Sequence, residues 1–407
     1  MEKLKIGVVG LGQRGFALLS PLLAIKDAVI TAVCDTYEDR VQKAVDLITA
    51  KYDAPATFIN FDEFLEKGDF TAVLICTCWE EHIKMAIKSM KAGKITAMEV
   101  GGAKNIEECW ELVETYEQTK TPFFFLENCC YDRFELLSLN LARKGYLGEI
   151  VHCKGAYAHD LRDEILGGNV NRHYRLEEYT HRNCENYPTH ELGPIAKILD
   201  INRGNRMVSL VSVASKGAGL SAFAKTDKNP DKTLADRVFK QGDVVNTVIT
   251  CEGGETILLT LDTTLPRFYS RDFTVRGTKG MTSGEVNLVF LEEKLNPHEF
   301  YETEKTIEKY LNNANEFTEF LPPYWQNITD EERELGHGGM DLYMLREFVR
   351  IALGDKHFPL DVYDAAAWMC ITALSEKSIS EGNAVQLVPD FTKGEYKNRK
   401  RFDVIEL

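Results

Sequence analysis

The sequence predicts an α/β chain, with a doubly wound parallel sheet at its N-terminal end and an α+β domain with an open, mainly antiparallel sheet after it. Two observations predict this. Apolar runs alternate with helix-spaced segments up to about residue 126, and beyond about residue 149 β-rich runs follow one another between glycine turns. In the first part, strands read at 4–9, 28–34, 72–76, 95–99 and 122–126. Helical spacing fills 41–50, 81–92 and 106–119. In the second part, strands read at 149–157, 207–213, 244–251, 256–262, 273–276 and 287–291. Cys251-Glu252-Gly253-Gly254 and Gly277-Thr278-Lys279-Gly280 read as turns. The polar stretch 220–243 reads as a surface loop. Helices return at 340–353 and 362–379, where the stripe Met340, Met344, Phe348 and Ile351 reads as core. The domains are drawn at 1–126 and 127–407.

The first strand runs into Gly10-Leu11-Gly12-Gln13-Arg14-Gly15, which opens a helix, and Asp35 ends the second strand twenty residues after Gly15. This is the layout of a dinucleotide site: glycines let backbone amides approach a pyrophosphate, and the acid binds a ribose hydroxyl. Thr36 stands where a 2′-phosphate binder carries Arg, so NAD is expected over NADP. Ligands of open parallel sheets sit beyond the carboxyl ends of the strands. Trp79, His82, Glu99 and Val100 fall there, as do Glu127 and Asn128 after the last strand of the first domain.

With 48 Lys+Arg against 63 Asp+Glu, the chain carries a formal charge of −15, which opposes a nucleic-acid or anionic-membrane partner. No apolar run approaches the roughly 20 residues of a membrane-spanning helix. The chain enters its first strand at once, leaving no signal peptide to be expected and a cytoplasmic location as the expectation. The ten cysteines form no paired Cys-x-x-Cys units, so no metal is expected. Cys34, Cys76, Cys153, Cys251 and Cys370 lie in apolar runs and read as small core residues of a reduced protein.

Four His, four Tyr and four Arg crowd the 34 residues from Tyr157 to His190. A solvated loop carries Lys, Glu and Ser in their place. The collection suits recognition of sugar hydroxyls and acid–base work near neutral pH. A zinc site from His159, His181 and His190 lacks a regular ligand spacing and ranks low.

Together these residues resemble the Gfo/Idh/MocA superfamily, and within it glycoside hydrolase family 109, the NAD-dependent α-N-acetylgalactosaminidases. The resemblance rests on the glycine loop, Trp79-Glu80-Glu81-His82, Glu99-Val100, Glu127-Asn128 and Tyr157-Ala158-His159-Asp160-Leu161-Arg162. Tyr187-Pro188-Thr189-His190, Tyr269-Ser270-Arg271 and His337-Gly338-Gly339-Met340-Asp341 complete it. It implies a Rossmann domain holding NAD through Gly10, Gly12, Gln13, Arg14, Gly15, Asp35, Trp79, His82, Glu99, Val100 and Asn128. It implies a glycoside pocket from Glu127, Tyr157, His159, Arg175, Tyr187, His190 and Tyr269, with His190 and Tyr157 as acid–base groups and Arg175 lowering the Tyr157 pKa. A small glycoside is the implied partner, and self-association through the second domain's sheet is expected as in relatives. Two further positions bear on the reading. Glu191 follows His190 where the family usually has Gly, which bears on sugar specificity. Val100 stands where sugar dehydrogenases of the superfamily carry a proton-transferring Lys, which favours hydrolysis over a plain NAD-dependent sugar dehydrogenase or a non-catalytic sugar sensor.

Overall fold

The computed structural model describes residues 3–294 and 303–406; Met1 and Glu2, where the signal-peptide reading begins, lie outside them. The chain divides into two units, Met1–Tyr131 with Asn327–Ala366, and Asp132–Gln326 with Ala367–Leu407. The first unit thus takes in a late segment that a boundary at 126/127 assigns to the second domain.

In the first unit the predicted strands appear as β1 (Leu4–Val9), β2 (Ala28–Cys34), β4 (Ala72–Ile75), β5 (Ile95–Met98) and β6 (Phe123–Phe125), joined by β3 (Ala56–Phe58). Among the described residues they form one parallel sheet in the order β3-β2-β1-β4-β5-β6, the Rossmann arrangement with its reversal between β1 and β4. β4 and β5 are buried along their whole length, which explains their unbroken apolar sequences. The short edge strand β3 and the helix Phe61–Lys67 were not expected; β3 has two exposed residues and one half-buried one, which carry no apolar run.

The glycine turn works by close approach. Gly10 has φ 86°, and a Cβ there would lie 2.5 Å from the Cys76 carbonyl carbon; a Cβ on Gly15 would drive into the Gly10 carbonyl oxygen. The helix Gln13–Leu23 therefore starts directly over the ends of β1 and β4, capped by Gly12 without a side chain.

The late segment is fastened by aromatics. Phe124 on β6 packs on Phe348 and Phe358 at ring separations of 5.7 and 5.0 Å, and the Phe125 amide donates to the Leu360 carbonyl at 3.0 Å. The stripe Met340, Met344, Phe348 and Ile351 on the helix Met340–Leu353 is buried, as its spacing predicts.

In the second unit the strands β7 (Ile150–Ala158), β8 (Met207–Ala214), β9 (Val244–Cys251), β10 (Thr256–Asp262), β11 (Thr274–Gly277), β12 (Gly280–Ser283), β13 (Leu288–Leu291) and β14 (Gln386–Leu387) form one sheet among the described residues. Every pairing is antiparallel except β7 with β10. Ile257, Leu259 and Leu261 of β10 are buried and alternate with half-exposed residues, so one face is core and the other open. The helix Thr189–Ile198 packs on β7.

Residues 220–243 are not a plain surface loop. They continue the helix Gly219–Ala224, and Leu220, Ala224, Asn229, Leu234 and Gln241 are buried. Their polarity misled because it fastens backbone. Asn229 donates to the carbonyls of Ala224 and Asp231, and Gln241 donates to the Cys184 carbonyl while accepting from Asn186. Among the described residues no disulfide joins the ten cysteines, and the five expected in the core are buried. Among the described residues no helix is long and apolar enough to cross a membrane.

Candidate active site

In the first unit the residues that the sequence assigned to a cofactor surround the ends of β1, β2, β4 and β5. Asp35 follows β2; its carboxylate accepts from the Leu11 amide at 2.7 Å and the Tyr37 amide at 2.9 Å, tying the glycine turn to the second strand. Trp79 and His82 lie in the first turn of the helix Trp79–Lys91, both buried. The Trp79 ring lies against Gly101, where a Cβ would come within 2.5 Å of it. His82 Nε2 is 3.0 Å from the Thr77 carbonyl, and burial pushes its pKa down to about 4, so the ring is neutral and donates there.

Glu99 and Val100 follow β5 and are buried; Glu99 accepts from Arg14 Nε at 2.9 Å. Asn128 follows β6 and donates to Asp341 at 2.8 Å. Glu127, fully buried, accepts from the Cys129 amide at 3.0 Å. Asp341 ends the His337–Asp341 motif, and nothing in the sequence says that a residue 327 positions after Arg14 meets it.

In the second unit the end of β7 supplies Tyr157 and His159, the first turn of the helix Thr189–Ile198 supplies His190, and the residues just before it supply Tyr187. Their rings form a continuous chain. Tyr187 is 4.6 Å from Tyr157 and 4.7 Å from His190, Tyr157 is 5.7 Å from His190 and 6.2 Å from His159, and His159 is 5.4 Å edge-on to Tyr269. Arg175 is buried beside them, its guanidinium 5.3 Å from the Tyr187 ring and 5.8 Å from that of Tyr157. Glu164 pairs with Arg175 at 3.1 Å and is a residue the sequence did not single out. Tyr269 is half exposed; its hydroxyl accepts from Arg271 at 3.2 Å, and Arg271 is itself held by Glu135 and Asp132.

Arg175 does lower the Tyr157 pKa, as expected, but burial outweighs it, and the Glu164 and Glu191 charges add to the rise. Burial also lowers the pKa of His159. Glu191 is fully buried in the helix turn after His190, against β7, where Gly155 leaves it room.

Other members of the dense Tyr157–His190 stretch serve structure. His181 is exposed and pairs with Glu177 at 3.0 Å, Arg162 pairs with Asp160 at 2.7 Å, and Tyr179 bonds Thr263 at 2.7 Å. His173 stacks on Tyr174 at 4.6 Å, and Arg182 pairs with Glu376 at 2.8 Å.

Comparison with known proteins gives two family matches. Residues 131–398 match the glycosyl hydrolase 109 C-terminal domain, and residues 4–126 match the oxidoreductase family with an NAD-binding Rossmann fold. A glycosyl hydrolase family 109 protein of Parabacteroides distasonis is 35% identical over 98% of this chain and 89% of its own length. An alpha-N-acetylgalactosaminidase of Tannerella forsythia is also 35% identical, over 98% of this chain and 88% of its own. Among solved structures, the WlbA dehydrogenase of Bordetella pertussis in complex with NADH and UDP-GlcNAcA superposes with a TM-score of 0.66. It covers 95% of this chain and 98% of its own at 16% identity, which is a likeness of fold alone.

Proposed function

Since the chain belongs to glycosyl hydrolase family 109, we propose that it cleaves α-N-acetylgalactosaminides or closely related small glycosides, with NAD regenerated in every cycle. As a member it is an NAD-dependent glycosidase. The residues of the first unit fit that cofactor. Gly10 and Gly15 leave a cradle that side chains would fill, the helix behind them begins without a side-chain cap, and Asp35 ends the second strand.

The chemistry supplied by bound NAD is reversible oxidation at the sugar's C3, whose ketone acidifies the C2 hydrogen and lets the glycosidic oxygen leave by elimination. His190 accepts the C3 hydroxyl proton and later returns it. Tyr157 takes the C2 proton, and the Arg175 cation beside its ring lowers the cost of the phenolate in a buried site. His159, Tyr187 and Tyr269 orient the sugar through hydroxyl and ring contacts.

The observation that carries the reading is the ring chain of Tyr157, Tyr187 and His190 with a buried arginine over two of its faces. Replacing His190 by Ala tests it. The expected result is loss of both aryl-glycoside cleavage and substrate-driven reduction of bound NAD, by at least about 100-fold. Survival of both rejects the assignment. The reduced cysteines support a cytoplasmic location, the −15 charge opposes nucleic acid, and the open sheet face with exposed Val213, Val248 and Leu387 supports a homo-oligomer.

A further inference from the structure

Asp341 is almost fully buried, yet it is surrounded by donors. Arg14 grips both of its oxygens, Nη1 to Oδ2 at 2.7 Å and Nη2 to Oδ1 at 2.9 Å. Asn128 Nδ2 donates to Oδ1 at 2.8 Å, and His337 Nδ1 lies 2.7 Å from Oδ2. The Arg14 side chain also reaches Glu99, so one carboxylate gathers Arg14 of the glycine turn, which Glu99 holds as well, and Asn128 of the segment after β6. We propose that Asp341 is a positioning residue for the cofactor: through Arg14 and Asn128 it fixes the mouth of the dinucleotide cradle in its binding geometry. The proposal rests on the assignment of those two residues to NAD.

The backbone before Asp341 is shaped to place that carboxylate. Gly336, His337, Gly338 and Gly339 have φ of 76°, 43°, 68° and 95°, a run of left-handed residues that only glycine adopts freely. A Cβ on Gly336 would stand 2.6 Å from Asp341 Oδ2, so this glycine serves for space as well as for conformation. Asp341 then enters the first turn of the helix Met340–Leu353, where the helix dipole favours a negative charge. A bidentate carboxylate removes most of the rotamer freedom of an arginine at the partly exposed edge of the turn, and a cofactor then binds a side chain already in place.

The test uses the full chain, stripped of nucleotide and titrated with NADH by fluorescence in the absence of any glycoside. Asp341→Asn keeps the shape and removes the charge. The expected result is NADH affinity weakened at least tenfold, and in the Arg14→Gln background the same change weakens it less than threefold further. A lower melting temperature of the stripped protein with unchanged NADH affinity would mark a purely structural residue and overturn the proposal. Should Asp341→Asn not fold, His337→Ala removes a partner of the same carboxylate from its exposed side. A weakening of two- to threefold is then expected, and unchanged affinity overturns the proposal. A wild-type chain that binds no NADH overturns the cofactor assignment and this proposal with it. A wild-type chain that binds while both variants bind equally well overturns this proposal alone.

Discussion

Tyr157 and Arg175 show how burial and charge compete at one phenol. Burial dominates and raises the Tyr157 pKa; the guanidinium works against it, and Glu164 and Glu191 work with it. His159, His190, Tyr187, Tyr174 and Tyr179 are further titratable groups around the pair. Removing the cation therefore leaves the phenol harder to ionise. Arg175→Met should move the pH–rate limb that reports Tyr157 to higher pH, and a profile of cleavage against pH checks it; a shift to lower pH contradicts the account. Tyr157→Phe should separate the two halves of the reaction. Bound NAD is still reduced on adding substrate, but aglycone release falls about 100-fold or more, read by absorbance at two wavelengths in one stopped-flow trace. Buried Glu185 behaves in the opposite sense from a paired acid. Burial pushes its carboxyl up to about 8, so the folded state prefers it protonated, and stability falls as pH rises from about 4.5 to about 8. Glu185→Gln should accordingly melt higher than wild type at pH 8 by about 3 °C or more, with the difference closing by pH 5.

The elements differ in how plainly their sequences announce them. β1, β2, β9, β10 and the helices Ile106–Thr119 and Met340–Leu353 have the bounds their patterns predict, because each has a long periodic or unbroken apolar signal. β3 and β12 have only three and four residues and were missed, β12 because its first glycine reads as the end of a turn. The stretch 220–243 misled because amides that satisfy backbone look like amides that face water. The site follows the same logic. The glycine turn and Asp35 are local and legible, whereas the meeting of Asp341 with Arg14 depends on a chain return that leaves no periodic trace. A substitution at Gly336 probes that return. Gly336→Ala adds a Cβ both at positive φ and against the Asp341 carboxylate, and should destabilise the first unit by about 1–3 kcal/mol, measured by urea unfolding of the stripped protein.

Across the chain, an acidic protein joins an NAD-binding Rossmann domain to a glycosyl hydrolase 109 domain. On the proposed reading, buried Val100 takes the position of a dehydrogenase's lysine, and Tyr157 and His190, whose rings lie 5.7 Å apart, are the acid–base groups. A cofactor regenerated in each cycle gains from being held, and holding it should stabilise its unit. NAD at about 100 times its dissociation constant adds about 2.7 kcal/mol, or several degrees in melting temperature. The most direct test of the oxidation–elimination cycle is solvent exchange at the sugar's C2. An α-N-acetylgalactosaminide turned over in D2O should release a sugar carrying deuterium at C2, with no net NADH formed. Released sugar that keeps its C2 hydrogen would show displacement at the anomeric carbon and contradict the account.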